Sequence, residues 1–328
     1  LIRFSHIYIE EDAYGYPTTT KILAKYPNSI LIKIQNYKNI FNRSNQDFQE
    51  QKNSVKLILA VKKDNFYYKG SDVVNSYGFT SFYYNTLILN CVYNCEYCYL
   101  QGMFNSGNVV IFVNIEDFFE ETKKLLTDNP TYLCISYETD LLAFEDLVFY
   151  TSSWIEFARE HSNLIIEVRT KSNRYNLLQK IQPPENVILA WTISPDEIIK
   201  KYESKTPTLN RRLTDIQSAI QDGWKTRICF DPVLHVKGWR EIYAKLVEKT
   251  FSIVDATKIF DISLGTFRIN ADYLKKMKKL RSNSDILHYP FERKEKLSVY
   301  PDVKINEIIE FMINQISKYY NKDKIFPT

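Results

Sequence analysis

Cys91-Val-Tyr-Asn-Cys95-Glu-Tyr-Cys98-Tyr99-Leu100-Gln101 follows directly on the apolar run Phe82-Tyr83-Tyr84-Asn85-Thr86-Leu87-Ile88-Leu89-Asn90. Three of the chain's five cysteines fall within eight residues at C-x3-C-x2-C spacing, just where a strand should give way to a loop. Thiolates this close can each hold one iron of a 4Fe-4S cluster, leaving the fourth iron open to a small molecule. A zinc site needs a fourth ligand, but the next cysteine is Cys134 and no histidine occurs between His6 and His161. A disulfide would strand one cysteine and needs an oxidising compartment that nothing in the sequence indicates.

Composition bounds the rest. With 328 residues, 45% of them hydrophobic, the chain has material for one large α/β domain or two small ones. Its 24 Tyr and 20 Phe stand beside only 8 Gly, and most of these rings are read as core and surface packing. A net charge of +4 permits nucleic-acid binding without establishing it. The longest apolar runs, such as Val187-Ile188-Leu189-Ala190-Trp191, are far too short to span a bilayer, and no basic stretch leads into an apolar core near the start of the sequence. The expectation is a soluble, cytoplasmic protein with no membrane partner.

Residues 1–79 carry short strand-like runs, Ile7-Tyr8-Ile9 and Leu57-Ile58-Leu59-Ala60-Val61, around a polar stretch from Asn42 to Asn53 that reads as a flexible surface loop. From Phe82 onward strands and helices alternate. Strand 82–90 precedes the cysteine loop and helix 116–128 follows it, with Asn114 placed to cap. Strands 131–136, 164–170, 187–194, 226–230 and 258–264 then alternate with helices 144–161, 173–181, 208–222, 239–254 and 271–279, with Gly223 as a stop for the 208–222 helix. Such units dictate a parallel sheet with helices outside and functional residues at the C-terminal strand ends. A last helix near 304–320 has Ile305, Ile308, Ile309, Met312, Ile313 and Ile316 at helical spacing, which is a core stripe.

C-x3-C-x2-C is the signature of the radical S-adenosylmethionine (SAM) enzymes, and Cys-Glu-Tyr-Cys-Tyr-Leu-Gln over 95–101 resembles the spore photoproduct lyase family in particular. The resemblance implies an α/β fold, a partial (β/α)6 TIM-like barrel of radical SAM type over 80–280. Residues 1–79 would then be an N-terminal extension packed on the barrel, and 281–328 a C-terminal hairpin or loop and helix capping it. Cys91, Cys95 and Cys98 would hold the 4Fe-4S cluster, with SAM as cosubstrate. Cys134-Ile135-Ser136 matches the family's Cys-x-Ser, in which the thiol gives a hydrogen atom to the product thymine radical. Without the family a lone buried cysteine reads as packing, as Cys229 does here. The family continues with Asp after the serine; this chain has Tyr137 and Glu138, with Asp140 a candidate for that place after an insertion.

Tyr97 and Tyr99 flank the last cysteine and read as packing that shields a cluster, to which the resemblance adds a radical relay and, for Tyr97, contact with SAM. Ser136, Lys171 and Ser194 stand at the ends of successive strands and match family positions that bind SAM; hydroxyls and an ammonium suit a ligand with ribose hydroxyls and a carboxylate. The segment Asp231-Pro232-Val233-Leu234-His235-Val236-Lys237-Gly238-Trp239 ends in the family's Gly-Trp, with His235 read as a loop histidine, and Arg268 matches a family arginine. The family's Trp-Gly-Arg-Tyr-Gly stretch is missing, and His288-Tyr289-Pro290-Phe291-Glu292-Arg293 occupies a similar place without its glycines.

The implied function is a DNA repair lyase that reverses the spore photoproduct, 5-thyminyl-5,6-dihydrothymine, to two thymines by 5′-deoxyadenosyl radical chemistry. It would act on UV-damaged DNA in the spore core during germination, with an electron donor such as flavodoxin or ferredoxin. Two alternatives stay open: a radical SAM enzyme of this shape with another substrate, and a non-catalytic DNA-binding protein with a structural iron-sulfur cluster. A structural cluster would be closed by a fourth protein ligand, which the spacing does not provide.

Overall fold

The computed structural model describes residues 2–70 and 75–328; residues 71–74, within the expected 1–79 extension, lie outside the described residues. The main sheet has eight strands: β1 Tyr67–Lys69, β2 Ser81–Asn85, β3 Thr131–Cys134, β4 Leu164–Thr170, β5 Val187–Thr192, β6 Lys225–Val233, β7 Asp261–Thr266 and β8 Ile325–Pro327. They lie side by side in chain order, with β1 antiparallel to β2 and every later neighbour parallel. Among the described residues neither edge strand is paired on its outer side, so the sheet is an open, partial barrel. The strands β3, β5 and β7 are buried on both faces, as the crossovers of a parallel sheet demand.

Helical segments return the chain between these strands. Leu209–Gln221 buries Leu209, Leu213, Ile216, Ala219 and Ile220 on one face, each Leu or Ile contributing about 1.5–3 kcal/mol, and Gly223 in the left-handed region (φ +91°) ends the run. Asp302–Ile316 buries Ile308, Met312 and Ile316, three residues of the expected stripe.

Several elements differ from the sequence reading. The expected strand 82–90 is two strands, β2 and Ile88–Leu89, and the second belongs to another sheet. That five-stranded sheet runs Ile30–Ile34, His6–Glu10, Leu57–Ala60, Val109–Phe112, Ile88–Leu89, so strands from both sides of residue 80 complete it. The expected helix 144–161 breaks at Phe149, which sits at φ +58°. The Glu145 carboxylate there accepts the amides of Thr151 and Ser152 and so caps Tyr150–Arg159. Only one 3-10 turn, Tyr175–Leu177, forms within the expected helix 173–181. Asp215 and Asp222 bind the Tyr175 amide and hydroxyl (2.8 and 2.5 Å) and tie this segment to the 209–221 helix, and Pro183-Pro184 follow. The polar stretch expected to be a flexible loop contains a helix, Phe48–Asn53, capped by Asp47.

Candidate active site

The C-terminal ends of the parallel strands open into a cavity of about 530 Å³, within the range of roughly 300–1,000 Å³ usual for small-molecule sites. Cys91, Cys95 and Cys98 line it together with Tyr97, Tyr99, Cys134, Ser136 and Lys171. All the cysteines are free thiols. Ser194 lies outside this lining, buried behind it.

The cysteine loop is held from three directions. Asn94–Cys95 pairs antiparallel with Glu203–Ser204, a two-residue bridge that no pattern of residues announces. The Phe48–Asn53 helix reaches the loop through Gln49, whose Oε1 accepts from Asn94 at 3.1 Å, and through Lys52, whose buried ammonium donates to the Cys91 carbonyl. Arg281 donates to Asn94 Oδ1 at 2.6 Å and to Gln101 Oε1 at 2.7 Å. A cubane bound by thiolates is anionic, and a loop braced by a buried ammonium and a guanidinium meets that demand. Among the described residues no three Cys, His, Asp or Glu side chains gather closely enough for a single metal ion. A cubane instead takes one thiolate on each of three irons.

Glu203 organises the next layer. It is almost fully buried and accepts from the Tyr97 hydroxyl, from Ser194 Oγ at 2.7 Å and from the Arg212 guanidinium. Burial works against its charge, but Arg212 and Lys171 hold the carboxyl down at about 2. Lys171 lies 5.6 Å from the Tyr97 ring centroid. Burial pushes its ammonium down, and the Cys95 sulfur and Glu203 together override this, holding it above the usual lysine range. Its backbone N–H donates to Asp140 Oδ2 at 2.6 Å, while Asp140 Oδ1 accepts from Thr170 at 2.7 Å. Asp140 thus ties the turn after β3 to the end of β4.

Cys134 ends β3 with 6% of its surface exposed. Its Sγ donates to Glu167 Oε1 at 3.8 Å. Glu167 also accepts from Tyr132 (2.7 Å), Arg169 (3.2 Å) and Arg227, and Arg227 makes a two-pronged bridge to Asp261. Burial first and the Glu167 charge second push the Cys134 thiol well above its ordinary range, so at neutral pH it carries its hydrogen. Tyr99 donates to the Tyr137 carbonyl at 2.7 Å, and Tyr137 stacks on Tyr84 with centroids 4.2 Å apart. Ser136 is engaged with the backbone of Arg169, accepting from its N–H at 2.7 Å.

Residues that the sequence reading passed over do much of this. Glu167, Arg227, Glu203 and Arg212 carry buried charge, with the half-buried Arg169 beside them. Charged residues two apart inside an apolar strand, as in Leu164-Ile-Ile-Glu-Val-Arg-Thr, were a readable sign, because they share one face of the sheet. Arg268 pairs with Asp231 (3.1 Å), giving that arginine a contact. His235 packs against Trp239, Tyr289 and Tyr300. The aromatics of His288–Arg293 turn toward the body of the protein: Tyr289 and Phe291 pack on Tyr300, beside the three-stranded sheet of Arg268–Asn270, Glu292–Lys294 and Leu297–Val299.

An open parallel barrel whose first parallel strand leads into a three-thiol loop at the strand ends is the partial barrel of the radical SAM class. The chain belongs to the spore photoproduct lyase family, whose family model matches residues 3–326. It is 23% identical to the spore photoproduct lyase of Clostridium acetobutylicum over 98% of each chain. The Bacillus subtilis spore photoproduct lyase is 22% identical, over 74% of this chain and 71% of that one. Among solved structures, a cysteine-to-alanine mutant of spore photoproduct lyase shares the fold at a TM-score of 0.85 and 17% identity, covering 99% of this chain and 98% of the other. A structure of a further mutant, described with bound AdoMet and dinucleoside spore photoproduct, matches at a TM-score of 0.81 and 16% identity, covering 99% and 98%.

Proposed function

We propose that this chain is a radical SAM carbon–carbon lyase that repairs the spore photoproduct in DNA, returning two thymines. The observation that carries the reading is the sharing of one cavity by the three-cysteine loop and the protonated Cys134 thiol. The solved relatives described with dinucleoside spore photoproduct and AdoMet support it.

In this reading Cys91, Cys95 and Cys98 hold a 4Fe-4S cluster, and Lys171, Ser136 and Tyr97 line the place for SAM. Bound together, cluster and SAM would supply 5′-deoxyadenosyl radical chemistry at this place. The protein's part is orientation, exclusion of water and one hydrogen atom. Lys171 offers an ammonium to a carboxylate, and Glu203 fixes Tyr97 and Ser194 beside it. Cys134 gives the hydrogen that quenches the thymine radical, and Tyr97 within the loop and Tyr99 just after it, which line the same cavity, serve as relay residues. The lesion must be turned out of the stack to reach such a cavity, which is easiest where stacking is already disturbed. A protein such as flavodoxin or ferredoxin would be the electron donor, and the germinating spore's core would be the working compartment. Among the described residues no helix is long and apolar enough to cross a membrane.

Anaerobic reconstitution tests the cofactor assignment. The protein should bind about four irons and four sulfides, and its electron paramagnetic resonance spectrum should change when SAM is added. A triple Cys91, Cys95, Cys98→Ala variant that kept an intact cluster would remove the basis of the reading.

A further inference from the structure

We propose that Glu167 is a positioning residue for Cys134: its carboxylate fixes the direction of the S–H bond and keeps the hydrogen on sulfur until the substrate radical takes it. The inference rests on the donor role assigned to Cys134 above. Cys134 and Glu167 are register partners on the neighbouring parallel strands β3 and β4, which brings both side chains to one face of the sheet. Sγ stands 3.8 Å from Oε1.

The carboxylate has little freedom to turn away. Oε1 also takes Arg169 Nε at 3.2 Å, while Oε2 takes the Tyr132 hydroxyl at 2.7 Å and the Arg227 guanidinium. Arg227 is itself locked, by Asp261 (2.7 Å for one arm of the pair) and by the Tyr77 ring, whose centroid lies 3.3 Å from its guanidinium carbon. Glu167 is 2% exposed, so water does not compete for these oxygens.

The chemistry needs such a group. In the quench the S–H bond breaks, a C–H bond forms on the thymine carbon, and sulfur is left as a thiyl radical; Glu167 neither gains nor loses a proton. A thiolate could supply an electron without the hydrogen. Two guanidiniums, Arg169 from β4 and Arg227 from β6, lie beside the thiol and favour the thiolate. The hydroxyl of Tyr132 on its own strand and that of Tyr137 in the following turn also face it. Glu167 is the anion that reverses the guanidiniums' effect.

Iodoacetamide alkylation of reduced, cofactor-free protein, followed at the Cys134 peptide by mass spectrometry, reads the thiol directly. Glu167→Gln should accelerate alkylation at pH 8 about tenfold or more, one order for each unit of lowered pKa. Arg169→Met, which leaves the carboxylate and removes a half-buried cation, should slow it. A Glu167→Gln rate within about twofold of the parent would overturn the proposal. If that variant does not fold, an Arg169→Met rate equal to or above the parent's does the same. Should Cys134→Ala release thymine alone from the lesion, the donor role falls while the effect of Glu167 on alkylation stands, so the two failures are told apart.

Discussion

At the scale of single residues, Cys134 separates a repair lyase from a barrel with a packing thiol. Its alanine variant should still cleave SAM and still open the lesion, because both steps precede hydrogen donation. The thymine radical would then be trapped by small reductants, so adducts should replace clean thymine while SAM cleavage changes little. Product analysis by mass spectrometry on a lesion dinucleoside checks this; thymine as the sole product would mark Cys134 as packing. Glu138 makes a second residue-level prediction. Burial pushes this cavity-lining carboxyl up to about 7 from 4.5. Folding therefore favours its protonated form, so its contribution is whole below pH 4.5 and is lost as pH rises through 7, by about 3 kcal/mol at 1.36 kcal/mol per unit. Glu138→Gln should match the parent's stability at pH 4.5 and exceed it by up to roughly that amount at pH 8, read by urea unfolding. A pH-independent difference would refute it. In the sequence the three cysteines were marked by their spacing and Lys171 by its strand-end position, whereas Cys134 stood out only through its match to the family's Cys-x-Ser. Glu203 and Arg212 were not, since nothing local reports that a residue after one helix and another within the next will meet behind Tyr97.

At the scale of elements, the cysteine loop shows how much support a short motif needs. Its eight residues exchange hydrogen bonds with the Phe48–Asn53 helix, the Glu203–Ser204 bridge and Arg281. The polar 42–53 stretch misled the sequence reading because several of its side chains, among them Gln46, Gln49, Gln51 and Lys52, bond to other protein groups. Gln51, for example, accepts from the Gly107 amide at 2.7 Å and Ser106 Oγ at 2.9 Å. Replacing Lys52 with Met should lower iron content on reconstitution while leaving the far-UV circular dichroism spectrum in place, because it removes the buried ammonium against the loop without touching a thiol. Equal iron loading would show that the ammonium has no part in holding the cluster. The Asp302–Ile316 helix is a purely structural counterpart. Met312 is fully buried there, and Met312→Ala should destabilise the fold by about 2–5 kcal/mol in urea melts, with product identity unchanged.

At the scale of the whole molecule, the parallel barrel was readable because six apolar runs separated by helical segments leave few other architectures. The second sheet was not, since its order weaves strands from 6–10, 30–34 and 57–60 with 88–89 and 109–112, and pairing between distant segments leaves no periodicity to read. The barrel brings the three-cysteine loop, Tyr97, Ser136, Lys171 and the Cys134 thiol to one cavity, and the central claim is that these act in sequence on one substrate. Anaerobic incubation of the reconstituted enzyme with SAM, a reductant and a synthetic dinucleoside spore photoproduct tests that claim most directly. The account predicts intact thymidine products formed only when SAM is present. SAM cleavage by an enzyme with a full cluster that left the lesion unchanged would contradict it.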